Sequence, residues 1–175
     1  MNRTKFIAYT AVFTALVAVA TIVFVFPLPA GRGFINFGDA IIFVTGILFG
    51  PFAGMIAGGI GSASADLILG YAIWAPFTLI IKGLEGVVVG FVSMAVCKML
   101  KPKLHFLAYI IAMVVAGIVM ITGYFFATAI IVKSFEVAAI GIIDSLIQIG
   151  VSIGIASLLL AATKSIIFAI KKRNV

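Results

Sequence analysis

Two uncharged apolar runs in the first half of the chain are each long enough to cross a lipid bilayer. Residues 6–26 contain no charged side chain, and residues 40–65 are uncharged over 26 positions. About 20 consecutive apolar residues suffice for a helix to span the hydrocarbon core. In the whole chain 65% of residues are hydrophobic and 10% are charged, which is more apolar surface than a water-soluble domain buries. The 175 residues therefore predict an integral membrane protein of one domain.

Proline and glycine divide the apolar sequence into separate helices. The stretch Pro27–Gly33 ends the first run, and Gly50-Pro51 interrupts the second. Because the residue before a proline is disfavoured in a helix, the second run predicts two helices rather than one. The sequence predicts six transmembrane helices, at residues 6–26, 38–49, 52–70, 77–97, 106–132 and 137–170, with a gating loop at 27–37.

Basic residues form three clusters beside the apolar runs. Arg3 and Lys5 precede the first run, three lysines occupy residues 98–103, and four basic residues lie between positions 164 and 173. Segments rich in Lys and Arg remain cytoplasmic, so an even number of helices should separate successive clusters. Two helices within residues 38–70 satisfy this condition. The fold class predicted is all-α, with both termini cytoplasmic, and the net charge of +7 is attributed to topology rather than to nucleic-acid binding.

Lys82 and Glu85 lie in the middle of an apolar stretch, three residues apart and therefore on one face of the fourth helix. A charge at the bilayer centre costs about 2.5–3.5 kcal/mol on insertion scales, so such residues face the bundle or an aqueous cavity. The pair indicates either a solute site or a structural ion pair. The spacing Gly86-x-x-x-Gly90 in the same helix is typical of close helix packing.

Further polar residues lie at a similar depth in neighbouring helices. Asp66 ends a stripe of small residues in the third helix and should point inward, either to a solute or to a neighbouring helix. Asp144 and Gln148 share one face of the sixth helix. Asp39 is interpreted as a helix-start residue rather than a ligand contact. Trp74 and Tyr71 are typical interface anchors that could also stack on a solute. Together these positions predict a pocket open to the outside.

The first helix carries a row of alanines on one face: Ala8, Ala11, Ala15 and Ala18. Small residues allow another helix to approach closely. The row is either a packing surface within the bundle or a docking surface for another protein.

Four segments resemble a known family: Phe37-Gly38-Asp39-Ala40, then Gly50–Gly54, then Gly61–Leu67, and Ile81–Gly86. On these segments the chain resembles the substrate-binding S components of energy-coupling factor (ECF) vitamin transporters. The resemblance covers nearly the whole chain and is strongest to the branch for riboflavin, pyridoxine and hydroxymethylpyrimidine. The spacing Ala11-x-x-x-Ala15 matches the motif by which this family docks on its transmembrane coupling protein.

The resemblance implies a multi-pass protein of the bacterial cell membrane that captures a small vitamin from outside and closes its first loop over the pocket. It then topples against the coupling protein, and two ATPase subunits drive the cycle with ATP and Mg. This chain has no Gly-x-x-x-x-Gly-Lys-Ser/Thr phosphate loop, so any ATP hydrolysis must be supplied by the partner subunits. The resemblance implies that the chain itself is no enzyme and holds no cofactor.

The substrate should be a small heteroaromatic molecule with hydrogen-bond donors or a basic nitrogen, because acidic residues outnumber basic ones in the predicted pocket. Pyridoxine and hydroxymethylpyrimidine are favoured, and riboflavin is the third candidate. The predicted substrate-binding residues are Lys82, Glu85, Asp66, Asp144, Gln148, Asn36, Phe37, Arg32, Trp74 and Tyr124.

Two other classes of function were weighed. In a self-contained proton-coupled carrier, Asp66, Glu85 or Asp144 would relay protons, although the chain shows no clear inverted repeat of the kind many carriers have. An intramembrane enzyme would need a nucleophile–histidine pair or a metal cluster. The single histidine, His105, is predicted at the cytoplasmic edge, and the single cysteine, Cys97, excludes a cysteine-cluster metal site.

Overall fold

The computed structural model describes residues 2–27 and 34–173, with side chains as far as residue 163. The central part of the predicted gating loop, including Arg32, lies outside the described residues. Within the described part, helices make up most of the chain. They are α1 (Arg3–Val23), α2 (Gly38–Phe49), α3 (Pro51–Ile68), α4 (Ala75–Met99), α5 (His105–Val132) and α6 (Phe135–Arg173). A short 3-10 turn, Pro102–Leu104, precedes α5.

Four segments of this bundle are long and apolar enough to cross a membrane: Arg3–Val23, Ala75–Met99, Pro102–Val132 and Phe135–Thr163. The short helix α2 has 12 residues, which corresponds to a length of about 18 Å. That is well below the roughly 30 Å of a hydrocarbon core. The six-span count stays a prediction, since α2 by itself is too short for a straight crossing.

The first loop begins earlier than the sequence predicted. Helix α1 ends at Val23, not at residue 26, because Phe26–Pro27 forms strand β1. This strand pairs antiparallel with strand β2, Phe34–Ile35. A proline restrains the residue before it to extended conformations, which suits a strand better than a helix end. The segment after α1 is therefore a hairpin-like connection that leads directly into α2.

Two other helix ends differ by one turn or less from the prediction. Helix α3 ends at Ile68, and Gly70 then adopts a φ of +83°, a left-handed conformation that glycine adopts at little cost. Helix α4 begins at Ala75 rather than residue 77, with Pro76 in its first turn, where a missing N–H costs no hydrogen bond. Between α2 and α3, Gly50 has a φ of +93° and Pro51 opens α3.

The short helix α2 lies at the centre of the bundle, in contact with α1, α3, α4 and α6. Its residues from Gly38 to Ala40 and from Ile42 to Gly46 are buried. Around it, α3 packs on α1 and α4, α4 on α5, and α5 on α6. A polar side chain at the start of α2 is therefore surrounded by other helices and must find its partners there.

Glycines bring α3 and α4 into backbone contact. A Cβ atom placed on Gly86 of α4 would collide with the backbone carbonyl of Gly54 on α3 and would lie 2.8 Å from the amide nitrogen of Met55. One turn further along α4, a Cβ on Gly90 would lie 2.6 Å from the backbone nitrogen of Pro51. Such close approach is the use that membrane helices make of small residues.

Candidate functional site

A buried ion-pair cluster joins α2 to α4. The ammonium group of Lys82 contacts Oδ1 of Asp39 and lies 3.0 Å from Oε2 of Glu85. Lys82 is 1% exposed and both carboxylates are fully buried. Two carboxylates therefore hold one lysine in place, and removing the lysine would leave both of them buried without a counter-charge.

Asp39 is the member of this cluster that sequence reasoning missed. It does lie in the first turn of α2, as a helix-start residue would. However, its carboxylate points to Lys82 and not to solvent. Lys82 and Glu85 already form a pair of opposite charges on one helix face, so no local pattern indicates a third charge beside them.

Gln148 of α6 connects this cluster to the end of the first loop. Its amide nitrogen donates to Oδ2 of Asp39 at 2.7 Å, and its Oε1 accepts from the backbone N–H of Asn36 at 3.0 Å. The side-chain oxygen of Asn36 in turn accepts from the backbone N–H of Gly38 at 2.8 Å and from the hydroxyl of Thr21 at 3.4 Å. Both polar atoms of the Gln148 side chain, Nε2 and Oε1, therefore form hydrogen bonds that connect α6 to α2 and to Asn36, the residue after β2.

A cavity opens beside this network and contains about 670 Å³ of space free of protein atoms, part of it solvent at the mouth. Seven of the ten predicted site residues line it. Five are polar, namely Asn36, Asp66, Lys82, Asp144 and Gln148, and two are the aromatic residues Trp74 and Tyr124. The wall thus combines side chains from the first loop and from α3, α4, α5 and α6.

Of the other three predicted residues, Glu85 and Phe37 are not part of this wall. Glu85 does not line the cavity, but it contacts Lys82, which does. Phe37 stacks on Phe24, with ring centroids 5.4 Å apart, and so fastens the loop to the end of α1. Arg32 lies outside the described residues.

Hydroxyl groups and further aromatic rings complete the cavity wall, and sequence reasoning missed most of them. Thr78 lies one turn before Lys82 on the same face of α4, a spacing that could have identified it. Thr21, Thr128 and Ser145 also line the cavity, as does Phe34 of strand β2. Threonine and serine are common in membrane helices for packing reasons, so these positions carried no distinguishing signal.

The two predicted aromatic residues form one side of the cavity. The rings of Trp74 and Tyr124 have centroids 6.3 Å apart and are tilted by 43°. The ammonium of Lys82 lies 5.4 Å from the centroid of the Tyr124 ring, within the range of a cation–π interaction. Aromatic faces beside polar groups are the usual composition of a site for a flat, polar small molecule.

The alanine row of α1 lies on the outside of the bundle. Ala8, Ala11 and Ala15 are exposed, and Ala18 is half-buried. Val12 and Val19, which lie four residues after Ala8 and Ala15 and therefore beside this row, are exposed as well. Helix α1 therefore packs on α2 and α3 through other residues, including the buried Thr10, Val17 and Thr21.

A bundle of apolar helices around a polar, partly aromatic cavity defines the chain as a solute-binding membrane protein. Its residues 1–165 match the family model described as ECF-type riboflavin transporter, S component. The chain belongs to this family, as the resemblance in its sequence predicted. It is the substrate-binding component of a transporter and not an enzyme, and S components work with a coupling and ATPase module.

Two known proteins illustrate the relationship. An uncharacterised protein in the gap 3′ region of Pyrococcus woesei is 46% identical over 108 residues, which are 62% of this chain and 68% of that protein. A solved structure described as the S component of a bacterial ECF transporter matches with a TM-score of 0.63 and 17% identity, covering 97% of this chain and 99% of the other. At that identity the second likeness shows the fold alone.

Proposed function

We propose that this chain captures a heteroaromatic vitamin from outside the cell and delivers it to the coupling module of an ECF-type importer. The observation that carries the proposal is the cavity, where buried polar side chains from the first loop and four helices converge. Buried polar groups without a function are costly in a membrane protein. Binding of a polar ligand explains why so many buried polar groups share one cavity.

The proposed orientation places this cavity near the outer surface. Lys82 lies seven residues after the start of α4, and Asp144 lies nine residues after the start of α6, or about 10 and 13 Å along the helix axes. Asp66 belongs to the last turn of α3. The lysines at 98, 101 and 103 follow the opposite end of α4, which the positive-inside rule assigns to the cytoplasm. Six spans with both termini inside, in the cell membrane of a bacterium, complete this proposal.

Lys82 is the proposed cationic contact of the cavity, and Asp39 and Glu85 are proposed to position it. Glu85 does not line the cavity, so its role is to hold the ammonium group from behind. Gln148 is proposed to contact the ligand from the cavity wall, and it also accepts a hydrogen bond from Asn36, the residue after β2. A ligand that contacts Gln148 would therefore influence the position of the first loop.

The proposed substrates are pyridoxine, hydroxymethylpyrimidine and riboflavin. The first two are favoured by the wall, since Asp66 and Asp144 supply two carboxylates and the single lysine is already shared by Asp39 and Glu85. Riboflavin is favoured by the description of the family to which the chain belongs. All three are flat nitrogen heterocycles that suit the walls formed by Trp74 and Tyr124.

We expect the purified, detergent-solubilised chain to bind at least one of these three vitamins without any partner subunit. Isothermal titration calorimetry with each vitamin measures this directly. Mass spectrometry of small molecules that co-purify with the protein identifies the ligand independently. Absence of binding to all three, with no co-purifying heterocycle, would contradict the proposed function. Uptake into proteoliposomes that contain this chain alone, driven by a pH gradient, would favour a proton-coupled carrier instead.

The alanine row of α1 is proposed as the docking surface for the transmembrane coupling protein. It is exposed and made of small residues, so another helix can approach its backbone closely. Toppling of the S component against that protein, and ATP hydrolysis with Mg on two partner ATPase subunits, would complete the transport cycle. The chain itself is proposed to hold no cofactor.

We expect Ala11→Trp to abolish vitamin uptake by the assembled transporter while leaving vitamin binding to the isolated chain unchanged. The indole would separate the docking surface from its partner but lies outside the cavity. Ile118→Trp is the control, because Ile118 is 58% exposed on α5 and should tolerate the change in both assays. Unimpaired uptake by the Ala11→Trp transporter would exclude this surface as the docking site.

A further inference from the structure

Asp66 presents an unused hydrogen-bond acceptor to the cavity. The residue is 3% exposed, its side chain lines the cavity, and its Oδ2 atom has no hydrogen-bond partner among the described residues. A buried acceptor without a donor is unfavourable, more so when it belongs to a charged group. A hydrogen-bond donor in the cavity would therefore satisfy this oxygen.

Two hydroxyl groups, those of Thr78 and Tyr124, line the same cavity as this carboxylate. The hydroxyl of Tyr124 lies 3.1 Å from Oγ1 of Thr78 and donates to it. Oδ2 of Asp66 has no hydrogen-bond partner among the described residues, and Asp66 shares the cavity wall with Thr78 and Tyr124.

The neighbouring lysine does not supply the missing donor. The hydrogen bonds of the Lys82 ammonium go to Asp39 and Glu85, on the far side of the cluster. Gln148 likewise donates to Asp39. Two of the three N–H groups of Lys82 and one of the two of Gln148 are thus used within the ion-pair network, and no described group donates to Oδ2 of Asp66.

We infer that Oδ2 of Asp66 accepts a hydrogen bond from a ring-edge N–H group of the ligand, which lies against Trp74 and Tyr124. This rests on the proposed function and specifies the part of the vitamin that is recognised. The donor is a protonated ring nitrogen, an exocyclic amino group or an imide N–H. A ligand with only a carbonyl or carboxylate at that edge is rejected, because two acceptors would face each other with no donor between them.

The test uses the vitamin that binds tightest among pyridoxine, hydroxymethylpyrimidine and riboflavin, and the variant Asp66→Asn. Calorimetry should show a loss of affinity of about 10- to 100-fold, the usual effect of removing a charged partner from a buried hydrogen bond. Glu136→Gln makes the same chemical change at an exposed carboxylate in the first turn of α6 and should leave the affinity unchanged.

A second measurement on the unaltered protein does not depend on how the variant folds. Each vitamin is compared with a counterpart that lacks the donor: 1-methylpyridoxinium, the 4-dimethylamino analogue of hydroxymethylpyrimidine, or 3-methylriboflavin. Binding of the counterpart should be weaker by a similar factor. If the vitamin binds but neither Asp66→Asn nor methylation weakens it, the inference is wrong and the proposed function stands. If none of the vitamins binds, both fall together.

Discussion

Replacing Lys82 with methionine is expected to lower the free energy of unfolding by about 3–5 kcal/mol, the usual cost of breaking a buried ion pair by removing one partner. The methionine would fill most of the space of the lysine side chain. It would leave the carboxylates of Asp39 and Glu85 close together, fully buried and without a counter-charge. Thermal or denaturant unfolding in detergent, followed by circular dichroism, measures the effect.

Two further variants identify the cause of this loss. Lys98→Met removes a lysine from an exposed position in the last turn of α4 and should change stability little. The triple variant Lys82→Met, Asp39→Asn, Glu85→Gln removes all three charges together and should recover much of the lost stability, because no unpaired charge is left. If Lys82→Met proved as stable as Lys98→Met, the ion-pair cluster would not contribute to the stability of the bundle as proposed.

Replacing Gly86 with alanine is expected to destabilise the protein by about 2–3 kcal/mol, near the upper end for overpacking a core. The added methyl group meets the backbone of Gly54 and Met55 on α3. Backbone atoms cannot move aside as the end of a flexible side chain can, so α3 and α4 would have to separate. The gain in helix propensity from glycine to alanine, about 1 kcal/mol, offsets only part of this cost. A fall in the midpoint of thermal unfolding in detergent is the measurement.

Gly154→Ala provides a matched control for that prediction. Gly154 also lies within a helix, α6, but a Cβ atom placed on it meets no atom within 4 Å. The same chemical change there should be neutral or slightly stabilising. If both substitutions changed the unfolding midpoint equally, the backbones of α3 and α4 at Gly86 would be far enough apart to accommodate a methyl group, and the prediction would be wrong.

The bundle's local features were predictable from the amino-acid sequence because they depend on neighbours along the chain. The break at Gly50-Pro51 follows from the stereochemistry of glycine and proline. The pairing of Lys82 with Glu85 follows from the helical repeat, and the two residues do hydrogen-bond at 3.0 Å. The first loop begins earlier than predicted, and its strand pairing was not predicted, because β1 and β2 have only two residues each and carry no periodicity.

The members of the site that were missed depend on contacts between residues far apart in the chain. Asp39 and Lys82 are separated by 43 positions, and Asp39 and Gln148 by 109. Periodicity within one helix cannot indicate which helix lies opposite. Asp39 in particular was interpreted from its local position as a helix start, a role that is compatible with the structure but secondary to its ion pair.

Sequence alone was enough to establish that this is a helical membrane protein of the ECF S-component family, since long apolar runs exclude a soluble fold and the motifs are contiguous. Which polar groups satisfy each other, and which are left on the cavity wall, was decided only when α1, α3, α4 and α6 packed around α2. Glu85 and Asp66 are both acidic residues in apolar helices, and each has one oxygen without a hydrogen-bond partner among the described residues; yet Glu85 holds Lys82, whereas Asp66 lines the cavity. That difference depends on helix–helix packing, which determines which buried donors lie within hydrogen-bonding distance of each carboxylate.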